Sequence, residues 1–288
     1  GGFDTGCCLI SAVDLILQFA IFVMLFKNMN IRNILFPFFL LIALSGISSD
    51  FSDSIFVAVG REEQPEQQVN RLLEITDKLK HTDPDNAIIL ASRALKIADS
   101  LKLEDQRLKA MIDLGTIQAF KTQFAPALEL AFKAQEIAQK RNDKLSLAKT
   151  GLIIGMIKIY QGDYPGGYES FFSSLRLFEE IHDQEGTINS LNGIGNVLFH
   201  QGNRDKAFEY YIDALDRARK INDTIQIGNV INNIGLILNE NGEYQKAISY
   251  YEEAVAINVR KGLKIRIATN YINLAACYVQ LKNDSAFR

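Results

Sequence analysis

The sequence predicts an all-α solenoid, a stack of antiparallel helix hairpins, behind a hydrophobic N-terminal signal or anchor segment. Three observations predict it: self-similarity at an interval of forty residues, a small, aromatic, small pattern at helical spacing in the clearest units, and glycine where first helices must end at 202 and 242.

The interval is read directly. Gly195, Gly202, Ala207, Tyr211 and Ala214 recur forty residues later as Gly235, Gly242, Ala247, Tyr251 and Ala254. Forty residues earlier the same places hold Gly155, Gly162, Gly167, Phe171 and Ser174, and eighty earlier Gly115, Thr122, Ala127, Ala131 and Ala134. A further step back gives Ile75, Ala87, Ala91 and Ala94, and a step forward gives Ala275 and Tyr278. Long helical chains with such a repeat stack one hairpin on the next, each burying its apolar face only against its neighbours.

Within a unit, the Ala, aromatic, Ala trio at i, i+4 and i+7 lies on one face of a second helix, opposite a Gly or Ala on the first. Small residues there let two helices approach closely, and the aromatic fills the wedge between units. Gly202 and Gly242 end their first helices, where a left-handed conformation costs a residue with a Cβ about 1 kcal/mol or more. Asp143, Asp183 and Asp223 also recur at forty and are expected to cap the helix that follows each of them.

The segment ahead of the repeats is of a different kind. Residues 1–60 carry six charged side chains, and the remaining 228 carry 29 basic and 30 acidic residues. Cys7–Phe26 is a run of 20 mostly apolar residues, long enough as a helix to cross ~30 Å of hydrocarbon. Ile34–Ile47 is 14 residues with Pro37 inside, suited to the core of a secretory signal read from Met29, with small residues at Ala43, Ser45, Gly46, Ser48 and Ser49 for cleavage. Two readings follow: a signal peptide or anchor over 29–49 with 1–28 upstream of the mature protein, or a membrane hairpin. Lys27 and Arg32 between the apolar runs place the rest of the chain outside the cytoplasm in both. The expectation is a linker over 50–64 and an exported, periplasmic or membrane-anchored array of about five and a half repeats over 65–288. Ile47 stands where a lipobox would need Cys, so no acylation is expected.

Composition excludes several roles. The near-neutral body has no clustered basic face for nucleic acid. Cys277 is its one thiol, too few for a disulfide or a cysteine metal site, and reads as a small buried apolar residue. His81, His182 and His200 have no metal-ligand spacing, and His182 falls in a turn between helices. The glycines at 151, 155, 162, 166 and 167 follow no strand and make no phosphate loop, and no serine sits in a nucleophile elbow. No catalytic constellation, cofactor or metal is expected.

The order small residue, Gly, Ala, aromatic, Ala resembles the tetratricopeptide repeat, and GEYQKAISYYEEAV from Gly242 to Val255 is similar to that family's second helix. The usual unit has about 34 residues. Six more lengthen the helices by roughly 9 Å in total. Gly167 and Ser174 depart from the pattern, as do Lys158, where Leu198 and Leu238 are apolar, and Ile75, where glycine is missing. The resemblance implies a right-handed superhelix whose inner groove, lined by first helices, binds a protein or peptide. Its register points Lys149, Leu152, Met156, Ile159 and Tyr160 into that groove, then Asn192, Asn196, Phe199 and His200, then Asn229, Asn232, Leu236 and Asn239. An asparagine ladder there would hold an extended backbone through donor and acceptor together; alternatively Asn192 and Asn233 only bond neighbouring turns. The resemblance also extends to the repeat-bearing input regions of bacterial sensors, whose output is a kinase, cyclase or DNA-binding domain. A free periplasmic adaptor and an accessory to a downstream enzyme are the alternatives. The last unit holds a first helix, ATNYINLAACYVQLKN, and little of a second, so Leu274, Tyr278 and Leu281 are expected on a face that more chain or a partner covers.

Overall fold

The computed structural model describes residues 64–286. The upstream segment, the signal or anchor over 29–49 and the linker up to residue 63 lie outside the described residues. Eleven helices follow one another among the described residues, with no strand. They group into two compact units, up to Ile221 and from Asn222 onward. No helix among the described residues is long and apolar enough to cross a membrane.

The first unit holds α1 (Pro65–Leu79), α2 (Pro84–Leu101), α3 (Glu104–Phe120), α4 (Phe124–Arg141), α5 (Lys144–Tyr160), α6 (Tyr164–Glu180), α7 (Gln184–His200) and α8 (Arg204–Lys220). First helices start at 104, 144 and 184, and second helices at 84, 124, 164 and 204, so the forty-residue interval of the sequence is the interval of the structure. Each helix packs against the next, and first helices also touch one another (α3 with α5, α5 with α7).

Two devices set the helix lengths. At the end of each helix from α2 to α8, one residue turns left-handed: Lys102, Thr122, Asn142, Gly162, His182, Gly202 and Asn222, at every twentieth position. The N–H after it returns to the carbonyl five residues back, as from Asp143 to Ala138 at 2.9 Å and from Asn203 to Leu198 at 2.9 Å, which satisfies a helix-end carbonyl. At the start, an aspartate accepts from the N–H three residues on. Asp143 takes Ser146 at 3.0 Å and Asp183 takes Gly186 at 2.9 Å, as expected, and Asp83 and Asp163 do the same at the second helices. Such caps are worth about 1 kcal/mol each.

Alanines make the hairpins tight. Ala127, Ala131, Ala134 and Ala138 are fully buried along one stripe of α4, as are Ala87, Ala91, Ala94 and Ala98 along α2. Where the stripe carries an aromatic, glycine makes the room. A Cβ on Gly155 of α5 would lie 3.0 Å from the Phe171 ring, and one on Gly193 of α7 only 2.4 Å from it, so Phe171 of α6 sits between successive first helices. Gly167 and Ser174 fit the same logic: Gly167 lies against the Gly155 carbonyl, and Ser174 donates its hydroxyl to Ser170 O at 2.9 Å. Lys158 reaches the exposed edge, 3.7 Å from Asp163. Ion pairs thirty-six residues apart lie at the surface: Arg141 with Asp105 and Lys144 with Glu180 each close a single hairpin, and Lys121 with Asp85 ties one hairpin to the next, each contributing about 0–1 kcal/mol.

The second unit holds α9 (Thr224–Glu240), α10 (Tyr244–Lys261) and α11 (Lys264–Ala286), with the same spacing, left-handed Gly242 and Gly262, and Asp223 capping α9. On α11 the expectation is met in part. Tyr278 is 43% exposed, but Leu274 is buried because its position turns inward toward the hairpin beside Cys277. The outward stripe is instead Ile265, Ile272 and Val279, seven residues apart.

Candidate functional site

The groove positions lie on the exposed side of the first helices. In the first unit Lys149, Leu152, Met156, Ile159 and Tyr160 of α5 are exposed or half-buried, and so are Asn192, Asn196, Phe199 and His200 of α7. In the second unit Asn229, Asn232, Leu236 and Asn239 of α9 are half-buried. The helical register of these residues keeps each set on one face of its helix.

Their neighbours divide the set. Tyr160 and His200 end their helices and turn to the edge of the stack, where Tyr160 meets Phe124 at 5.0 Å and His200 stacks on Tyr164 at 5.8 Å with the rings 1° from parallel. His81 and Phe120 continue that edge at 6.0 Å. Asn196 accepts the Tyr211 hydroxyl at 2.7 Å, joining the first helix of a hairpin to its second. In the second unit the asparagines form a chain: Asn258 donates to Asn270 at 2.7 Å, Asn270 to Asn232 at 2.7 Å, Asn273 to Asn232 at 3.0 Å and Asn232 to Asn233 at 3.4 Å. Cys277 is buried and donates to Asn239 at 3.1 Å. Asn196, Asn232 and Asn239 therefore have an oxygen engaged in the fold. Lys149 and Leu152 of α5 carry no such engagement, and Met156 between them and the helix end packs partly on the core.

The sequence reading missed a cluster of charges on the same face. Lys80 donates to Asp77 at 2.7 Å on the last turn of α1. Burial pushes the Asp77 carboxyl up, but Lys80 outweighs it and holds it below the usual range; burial likewise pulls Lys80 down and Asp77 outweighs it. Asp113 of α3 lies within electrostatic reach of Lys109, Lys80 and Lys149, and Glu185 of α7 within reach of Lys80. Lys109 and Lys149 stand forty residues apart in the sequence, the one signal that could have found the cluster. A hollow of 580 Å³, open to solvent, lies on the second-helix side between α6 and α8, walled by Tyr168, Lys206, Glu209 and Tyr210. Among the described residues no group of His, Cys, Asp and Glu could hold a metal.

A tetratricopeptide repeat family profile matches residues 147–220 and 226–287. These two stretches carry tetratricopeptide repeats. Three solved structures share the repeat fold. One is a Signal Transduction ATPase with Numerous Domains from Pyrococcus horikoshii, with a tetratricopeptide repeat sensor (TM-score 0.54, 19% identity, 74% of this chain and 33% of that one). The chain thus spans a third of that protein's length. Another is a Rap protein complexed with competence and sporulation factor (TM-score 0.56, 17% identity, 94% of this chain and 76% of that one). The third is NprR with its cognate peptide NprX (TM-score 0.67, 12% identity, 96% and 75%). At such identities the likeness is one of fold. A comparison with curated proteins finds no match.

Proposed function

We propose that the chain is a protein- or peptide-binding scaffold whose first-helix face is the ligand face, and that it is the extracytoplasmic input part of a larger signalling protein. Binding rather than catalysis is the role. One observation carries the reading: Lys149, Leu152 and Met156 put a mixed polar and apolar surface on α5, with Lys149 exposed and Leu152 half-buried, while Met156 packs partly on the core. Structures of the same fold, a Rap protein and NprR, hold a competence factor and a cognate peptide, and a third of that fold bears its repeats as a sensor. These structures support the reading by analogy of fold.

The location outside the cytoplasm rests on the apolar runs at Cys7–Phe26 and Ile34–Ile47 with Lys27 and Arg32 between them. Mass spectrometry of the mature N-terminus is expected to find it between Gly46 and Asp50; an intact Cys7–Phe26 segment would favour the membrane hairpin. For the ligand face, random dodecapeptides displayed on phage should enrich against the wild-type chain and lose binding to a Lys149→Glu, Leu152→Glu variant of unchanged melting temperature. Selected peptides that bind both proteins equally would remove this face as the site.

A further inference from the structure

The second-helix side of the first unit carries an aromatic surface that the repeat does not demand. α6 and α8 stand further apart than α5 and α7, which touch, and the gap between them is the open hollow of 580 Å³, within the ~300–1,000 Å³ of ordinary ligand sites. Leu198 and Pro165 line it, and Tyr168 of α6 and Tyr210 of α8 meet there. Phe172, one turn past Tyr168, stacks on its ring with centroids 5.9 Å apart and planes 10° from parallel, and is itself 41% exposed. The stacked rings of Tyr164 and His200 carry the aromatic surface on to the edge of the stack. One repeat earlier the two tyrosine positions hold Leu128 and Ser170, so register alone does not explain the rings.

The polar groups of the hollow are mostly donors. The side chains of Gln201, Lys206 and Glu209 form no hydrogen bond or ion pair among the described residues. Burial, and after it the Tyr168 hydroxyl, raise the Tyr210 phenol, so it stays protonated at neutral pH. Two phenol O–H groups, an amide and an ammonium can donate there, and only the Glu209 carboxylate is purely an acceptor. Lys206 and Glu209 balance each other in charge. A ligand complementary to this wall has apolar faces, many acceptors, few donors and no net charge. A proline-rich segment has all four: proline lacks an N–H, its ring is apolar, and the polyproline II helix leaves every carbonyl unpaired. An α-helix uses its carbonyls internally, and an added strand needs a sheet edge, which the described residues lack.

We propose that the hollow between α6 and α8 binds a proline-rich segment of a partner protein in the polyproline II conformation, its rings against Tyr168 and Tyr210 and its carbonyls accepting from their hydroxyls and from Gln201. Both sides are set in advance: Phe172 fixes the Tyr168 ring, and the proline-rich segment already has its bound shape, so little order is lost on binding. The hollow is on the second-helix side, away from Lys149 and Leu152. The inference therefore goes beyond the first-helix reading and stands without it.

The test titrates fluorescein-labelled, end-blocked peptides with the whole chain and reads their anisotropy. The peptide (Pro-Pro-Ala)₃ is expected to bind about tenfold or more tightly than (Gly-Ser-Ala)₃, which matches it in length and charge but has no preformed helix. Tyr168→Ala with Tyr210→Ala should abolish that difference. Tyr168→Phe with Tyr210→Phe keeps the rings and guards against misfolding of the alanine pair; it should weaken (Pro-Pro-Ala)₃ several-fold by removing two donors. Lys149→Glu, Leu152→Glu should bind (Pro-Pro-Ala)₃ as wild type does. The proposal is overturned if the two peptides bind alike or not at all, or if both tyrosine pairs bind (Pro-Pro-Ala)₃ as wild type does. It is also overturned if Lys149→Glu, Leu152→Glu alone loses the peptide, which would move it to the first-helix face. Binding of cellohexaose, whose sugar faces also stack on aromatic rings, in place of (Pro-Pro-Ala)₃ would make the hollow a glycan site and overturn the proposal too. None of these failures touches the phage result for the first-helix face, and a failure there leaves this test unchanged.

Discussion

Tyr211 and Tyr251 hold the same place in successive repeats, and their surroundings are not the same. Both are buried to 1% or less, and each ring covers a glycine on its own first helix, Gly195 or Gly235. Burial pushes both phenols well above the usual range. Yet Tyr211 donates to Asn196 at 2.7 Å, whereas the Tyr251 hydroxyl has no partner among the described residues, because the residue forty past Asn196 is Leu236. The lesson is that register fixes where a side chain goes, and its neighbours fix what it is worth.

The largest expected effect is on the glycines. A Cβ at Gly195 would lie 2.4 Å from the Tyr211 ring, and one at Gly235 2.7 Å from Tyr251. Gly195→Ala should lower stability by about 2 kcal/mol in urea unfolding, and Gly235→Ala by less, since overpacking costs ~1–3 kcal/mol. Equal losses would break the comparison. Next, Tyr211→Phe should cost about 1 kcal/mol, while Tyr251→Phe should be neutral or stabilising, because it removes a hydroxyl that is buried and unsatisfied. Adding Leu236→Asn should give Tyr251 a partner, and a double-mutant cycle between them should then show coupling of about 1 kcal/mol.

Smaller effects test the turns. Thr122 is a β-branched residue at φ 59°, and Gly202 fills the equivalent turn two units on at φ 80°. Thr122→Gly should raise stability by about 1 kcal/mol, and Gly202→Ala should lower it by a similar amount, both read from thermal melts.

The smallest is a pair of opposed pH effects. Asp143 is pushed up by burial but held below its ordinary value by its bonds to Ser146. It therefore contributes stability above the pKa of the unfolded chain that is lost as pH falls through its folded pKa. Asp113 is raised by burial, so its contribution is present below the unfolded pKa and is lost as pH rises through the folded one. Melts of Asp143→Asn and Asp113→Asn against pH should change the acid limb in opposite directions.

Much of the fold was legible in the sequence because a repeat states each rule several times. The hairpin interval, the caps at Asp143, Asp183 and Asp223, and the left-handed Gly202 and Gly242 all follow from local chemistry. Lys102, Thr122 and His182 in the same left-handed turn were not legible, since there the packing of two helices imposes a backbone that the residue itself disfavours. The candidate site was legible only in outline. Register placed Leu152, Asn192 and Asn232 on their helix faces, but their partners lie on other helices. That Asn232 serves Asn270 and Asn273, or that one oxygen of Asp113 finds no donor among the described residues, depends on distances no single helix contains.

The left-handed residue every twenty positions from Lys102 to Gly262 works as a ruler. Adding or deleting one codon inside any helix would move a capping aspartate out of step with its turn and rotate the next stripe of alanines by about 100°, away from its partner. Diversity in such a chain must then arise in two ways, by swapping side chains on the outward face or by copying whole units. The spacing is thus a constraint on how genes of this kind can grow.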